Sequence, residues 1–261
     1  MFRERPLHGE VSEIRAEHCS EALVLDCETD FEALPSGAID DLALVTDRID
    51  PVSYPSQWLP ESAPDILRRH AGSAFTVGLP GDGSVAWTTQ TVPAVVFVKP
   101  RVEGVPEDFV DFLIAEALVE IGTEAPEDVL SFFGERYPEL HDAVPLDPVS
   151  TYQIGTALRA AWVGLSTRER FSEWHGSRPR LAGAWQDAGE RIEPRLGDLA
   201  GEVAHGRTDF ADATELACSA IKHALEVPAP FAALDTAAYR HHGPEYAVEW
   251  ARRTFEALAE E

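Results

Sequence analysis

Residues 106–122, PEDFVDFLIAEALVEIG, read as a helix that is apolar over most of its circumference. Proline and acids open it, where the free N–H groups and the helix dipole favour them, and Gly122 closes it. Such a helix has no face to give to water, so other elements must surround it. Helical spacing then continues to the end of the chain, with Pro or Gly at the junctions. It predicts helices over 127–133, 148–165, 167–174, 181–192, 195–204, 210–226, 231–239 and 245–259. These segments differ in length and share no motif, which excludes a solenoid of repeats.

The first hundred residues are more mixed. A helix is expected over 11–23, running into LVL at 23–25, which reads either as the end of that helix or as a short buried strand. Within PSGAIDDLALVTDRIDP, Ser36 is placed to cap a second helix, and Pro51 lies beyond its end. The proline-rich loop VSYPSQWLPESAP leads to the short helix DILRRHAG. FTVGLPGDGSVAWTTQ alternates apolar and polar residues on both sides of 80–83, where Asp82-Gly83 suits a hairpin turn. VPAVVFVKP adds a third strand whose unbroken apolar run predicts cover on both faces. The expected fold is α+β and mainly helical, one compact unit over 1–261. Helices and a three-stranded antiparallel meander near 73–99 occupy 1–104, and 105–261 is all helical.

Charge narrows the function classes. Against 46 acidic residues stand 21 basic ones, a net charge of −25. Only Lys99 and Lys222 are lysines; the other basic residues are arginines. A surface this rich in carboxylates suits a cytoplasm of high salt and opposes duplex nucleic acid, which is gripped by basic patches. The opening residues MFRERPLHGE lack the apolar core of a signal peptide, and no apolar run approaches the roughly 20 residues of a membrane span. Cys19, Cys27 and Cys218 form no CxxC pair, so neither a disulfide framework nor a thiolate zinc site is expected.

The segments LVLDCETDFEALP, FTVGLPGDGSVAW, VVFVKPRVEG, AWQDAGERIEPR and ATELACSAIKHALEVPAPFAALD resemble an uncharacterised family of acidic proteins from extremely halophilic archaea. The resemblance extends over nearly the whole chain. It implies a high-salt habitat and a cytoplasmic location, and carries no activity, cofactor or catalytic residue with it.

Candidate sites therefore rest on side-chain chemistry. Asp26, Glu28 and Thr29 match the Asp-x-Glu-Thr strand of a two-metal exonuclease, but an acidic chain supplies such triplets by chance, and the residues after Ser36 read as helix where that fold needs more strands. Glu202 and His205 have the ExxH spacing of di-metal bundles, without the second motif such a centre requires. Glu116 and Glu120 stand one turn apart in the most apolar helix, reading as an exposed stripe or as a buried pair. In TELACSAIKHALE, helical spacing sets Glu215, Cys218, Ser219, Lys222 and Glu226 on a polar stripe, with Lys222 placed to pair with Glu226 or to hold an anion. His241 and His242 fall in an expected loop before the last helix, where neighbouring imidazoles suit a metal ion or a proton. No complete metal or catalytic constellation emerges. Two function classes follow: an interaction or regulatory protein whose tryptophans anchor a protein partner or a second copy, or a small-ligand protein or enzyme whose site is assembled from several helices.

Overall fold

The structure is a computed structural model that describes residues 1–31, 33–72, 74–77 and 83–260. In chain order the elements are β1 (Phe2–Glu4), α1 (Gly9–His18), β2 (Leu23–Cys27), α2 (Ser36–Leu42), β3 (Arg48–Ile49), α3 (Asp65–Ala71), β4 (Val85–Thr88), β5 (Thr91–Val92) and β6 (Val95–Val98). After them come α4 (Glu107–Gly122), α5 (Val129–Phe133), α6 (Tyr137–Ala143), α7 (Pro148–Ser177), α8 (Pro179–Ile192), α9 (Leu199–Ala204), α10 (Phe210–Lys222), α11 (Ala237–His242) and α12 (Pro244–Glu260). The protein is mainly helical with a small sheet. The chain packs as two compact units, the first from residues 1–54, 68–127 and 174–184, the second from 55–67, 128–173 and 185–261. Among the described residues no helix is long and apolar enough to cross a membrane.

In the first unit the sheet is mixed, with strand order β1-β2-β6-β4. LVLDC is a strand. It lies parallel to β6, Leu23 beside Val95 and Leu25 beside Phe97, while β1 and β4 flank this pair antiparallel. The antiparallel pairing expected between VAWT and VVFV is present, but the meander is not. Thr76 bridges Ala33, Leu34 N–H donates to Phe75 O, and Thr76 O accepts from the Gln90 side chain, so FTV pairs elsewhere than with VAWT. Of the turn expected at 80–83, only Gly83 lies within the described residues.

Alternation sorts the sheet's two faces. Leu25, Cys27, Val95, Phe97 and Ala86 join Phe31, Leu34, Ala38, Leu42, Phe75 and Val77 in one apolar cluster. On the other face α4 packs against β4 and β6 and against α1. Four buried side chains in Val95–Val98 match the two-sided cover its composition predicts. The helix expected over 11–23 ends at His18, because Leu23 onward enters the sheet. A clasp holds α1 and α4 together: Arg178 pairs with Glu13 and Glu17 of α1, and Arg180 with Asp108 at 2.8 Å and Asp111 at 2.7 Å of α4. Glu10 accepts the Leu181 N–H at 2.9 Å, satisfying a free donor at the start of α8.

Beyond β4 the chain turns around one carboxylate. Glu127 accepts from Thr88 Oγ1 at 2.6 Å, Thr89 N at 2.9 Å, Thr89 Oγ1 at 3.2 Å and Gln90 Nε2 at 2.9 Å. Thr88 and Gln90 are buried, so those donors have exchanged water for Glu127.

In the second unit α10 is enclosed by its neighbours. Gly164 of α7 lies so close to Lys222 that an added Cβ would stand 2.9 Å from its backbone, and Gly189 of α8 admits His223 in the same way, at 3.2 Å from its Cβ. Tyr239 donates to Leu158 O at 2.7 Å, and Arg168 joins Asp235 at 2.7 Å to Ile221 O at 3.0 Å. Helix α7 runs unbroken through Ser166 and Thr167, where two helices were expected. Both hydroxyls donate to carbonyls one turn back, to Trp162 and Val163, and so do not cap a new start.

His223 carries a pH consequence. Burial, and then the Lys222 charge, pull its imidazole down from 6.5 to about 4, so it is neutral in the folded protein at pH 7. The unfolded chain takes up the proton first as pH falls, so the stability present above 6.5 is lost progressively down to about 4. Between about pH 7 and pH 5 the loss should be about 2 kcal/mol, and His223→Gln should remove that share of the acid sensitivity. Equal pH dependence of urea midpoints in the two proteins would refute this.

Candidate functional site

Strands β2 and β6 run side by side and end at the same edge of the sheet. Their register continues one residue beyond Asp26 and Val98, which places Cys27 next to Lys99. Odd-numbered residues of both strands face the apolar cluster, so alternation turns Cys27 and Lys99 toward that side. Lys99 is 1% exposed, and its Nζ lies 5.7 Å from the centre of the Phe31 ring. Phe31 meets Phe97 edge to face at 5.4 Å, and Phe2 closes the aromatic group at 5.5 Å from Phe97. Burial pushes the Cys27 thiol up to about 12, against a smaller downward pull from the Lys99 charge.

The acids at this edge already have partners. Asp26 is paired with Arg5 at 2.7 Å and with Arg3 at 3.3 Å, and Asp30 with Arg101. Glu28 is an exposed side chain, 78% open to solvent. Among the described residues no carboxylate pairs with Lys99, and its charge rests on the Phe31 face.

The sequence-derived candidates are distributed differently. Glu116 is 5% exposed, which corrects the exposed-stripe alternative: α4 presents this side to its neighbours because it is covered almost all round. Glu120 accepts the Trp87 indole N–H at 2.8 Å, tying α4 to β4. Cys218 is 1% exposed and does not lie on a polar stripe; the neighbours of α10 cover Ala213, Thr214, Leu216, Ala217, Cys218, Ala220 and Ile221, and burial holds the thiol pKa up. Glu215 accepts from Gln153 Nε2 at 2.8 Å, a link between α10 and α7. Helix α10 stops at Lys222 and Ala224 has φ +56°, so Glu226 does not stand one helical turn beyond Lys222 as expected. His241 and His242 form the last turn of α11, not a loop; both are exposed, with rings edge to face at 4.8 Å. Glu202 accepts from Thr208 Oγ1, and His205 Nδ1 lies 2.6 Å from Gly201 O, so each serves the end of α9.

The candidates are divided between the two units. Glu116 and Glu120 belong to the first unit; Glu215, Cys218, Lys222, His241 and His242 belong to the second. Two grooves of the second unit have other linings, one of 280 Å³ beside Tyr246, Trp250 and Arg253, the other of 470 Å³ beside Glu139, Asp142, Arg252 and Glu256. Among the described residues no three His, Cys, Asp or Glu side chains are grouped to hold a metal ion.

Residues 1–258 match the model of a family of unknown function, DUF7089. The chain belongs to DUF7089. No curated protein and no solved structure matches it. In this DUF7089 member the residue at the β2–β6 edge that helical and motif spacing did not single out is Lys99. Its signal was present: one of two lysines, it directly follows a fully apolar strand and keeps the alternation of Val95 and Phe97.

Proposed function

We propose that the protein binds a small ligand at the carboxyl edge of the β2–β6 pair. The observation that supports this most is the parallel alignment of the two strands, which ends Cys27 and Lys99 together among Phe31, Asp30 and Arg101. Crevices outside the carboxyl ends of parallel strands are where open sheets hold ligands, because several chain segments end there with side chains free to be chosen for chemistry. A docking protein anchored by tryptophans is less favoured. Trp87, Trp174, Trp185 and Trp250 are buried in the core, and Trp58 and Trp162 are half-buried. The exonuclease reading loses support as well, since the guanidinium groups of Arg3 and Arg5 beside Asp26 repel a second cation. The acidic composition supports a cytoplasmic protein working in concentrated salt.

Thermal unfolding against a panel of small carboxylates, phosphates, amines and sugars tests the site. At least one class should raise the midpoint of the natural protein by mass action, and Arg101→Ala, which alters this edge without opening the core, should weaken the effect. A panel without a stabilising compound would sink the reading, as would one whose stabilisation is the same in Arg101→Ala.

A further inference from the structure

Resting on that site, we infer that Lys99 is the counter-ion of a small oxyanion, a carboxylate or a phosphate, received at the carboxyl ends of β2 and β6. An ammonium group carries three donors and a full charge, and removing it from water is costly unless acceptors replace the water. Lys99 is almost wholly enclosed, at 1% exposure. A cation over an aromatic face is attracted by the ring but gains no hydrogen-bond acceptor, so Phe31 at 5.7 Å offsets only part of that cost. Among the described residues the neighbouring acids are engaged elsewhere: Asp26 by Arg3 and Arg5, Asp30 by Arg101. Cys27, with its thiol held protonated by burial, supplies no negative charge. Among the described residues Lys99 is thus the cation at this edge without a paired carboxylate, in a protein that carries an excess of 25 negative charges. An arginine here would demand a planar, forked acceptor; a lysine suits a single oxyanion with freely turning donors.

Having only two lysines makes the test direct. Protein labelled with ¹⁵N at the lysine Nζ gives two resonances, and the one that persists in Lys222→Arg belongs to Lys99. Inorganic phosphate and acetate are titrated separately against chloride at constant ionic strength. The Lys99 resonance should move along a saturating curve with one anion or both, and the arm that saturates identifies the class. A Lys99 resonance that stays fixed, or that drifts linearly as the Lys222 resonance does, overturns the inference. In parallel, Lys99→Gln should weaken the anion's thermal stabilisation at least about tenfold in apparent Kd. If a neutral compound from the panel binds and neither anion moves Lys99, the ligand site stands while the oxyanion is refuted; if nothing binds, both fail.

Discussion

Raising KCl from about 0.1 M to about 3 M should lift the thermal unfolding midpoint by about 10 °C or more. The chain has 46 acidic residues against 21 basic ones, and among the described acids only Glu116 and Asp128 are buried, so carboxylates crowd the surface with few cations between them. At about 0.1 M salt the screening length is near 10 Å, longer than the spacing of many neighbouring carboxylates, and near 1 M it falls to about 3 Å. Folding concentrates these charges and unfolding spreads them, so screening relieves the folded state more. That contribution should be nearly complete by about 1 M. Any further rise must come from stronger apolar burial or from cation and water binding by the acids, and should depend on which salt is used. Parallel series in KCl, NaCl and sulfate separate the two regimes. A flat or falling midpoint in KCl would refute adaptation to high salt.

Glu127→Ala should destabilise the protein by about 3 kcal/mol or more, among the larger losses a single substitution produces. The carboxylate accepts four hydrogen bonds from Thr88, Thr89 and Gln90, two of them from buried residues. Removing it strands the buried Thr88 hydroxyl, while Gln90 Nε2 keeps Thr76 O and Thr88 Oγ1 as acceptors and exposed Thr89 turns to water; the loss from a stranded buried group exceeds the net value of the bond itself. Glu127→Gln keeps one oxygen and should cost about half as much. Chemical denaturation of both variants measures this, and a loss under about 1 kcal/mol for the alanine variant would show that water takes over the carboxylate's role.

The sequence predicted the helical class and the buried helix α4 because both follow from periodicity within a short window. The apolar run of β6 was equally plain. The pairing of β2 with β6 was hidden, since a parallel partner is separated by the length of a crossover connection and nothing local marks it. Cys218 was misplaced for a related reason. Spacing assigns it to one side of α10 with Glu215 and Lys222, but packing leaves Cys218 itself 1% exposed while Glu215 stays open to water. Lysine scarcity pointed to Lys99 and Lys222 together, and helical spacing drew notice to the second. The importance of Lys99 depends on which strand lies beside Val98, a tertiary fact.

The interleaving of the chain bears on how the protein is made. The first unit needs residues 174–184, yet its sheet and α4 are complete by residue 127. At roughly 5–20 residues per second, a ribosome takes roughly 3 to 11 s to pass from 127 to 184. Throughout that interval α1 and α4 lack Arg178 and Arg180, and the carboxylates of Glu13, Glu17, Asp108 and Asp111 face one another without their cations. Nascent chains stalled after residue 127 should therefore be far more open to protease than those stalled after the arginines have emerged, so that native assembly of the amino-terminal sheet waits on a segment translated long after it.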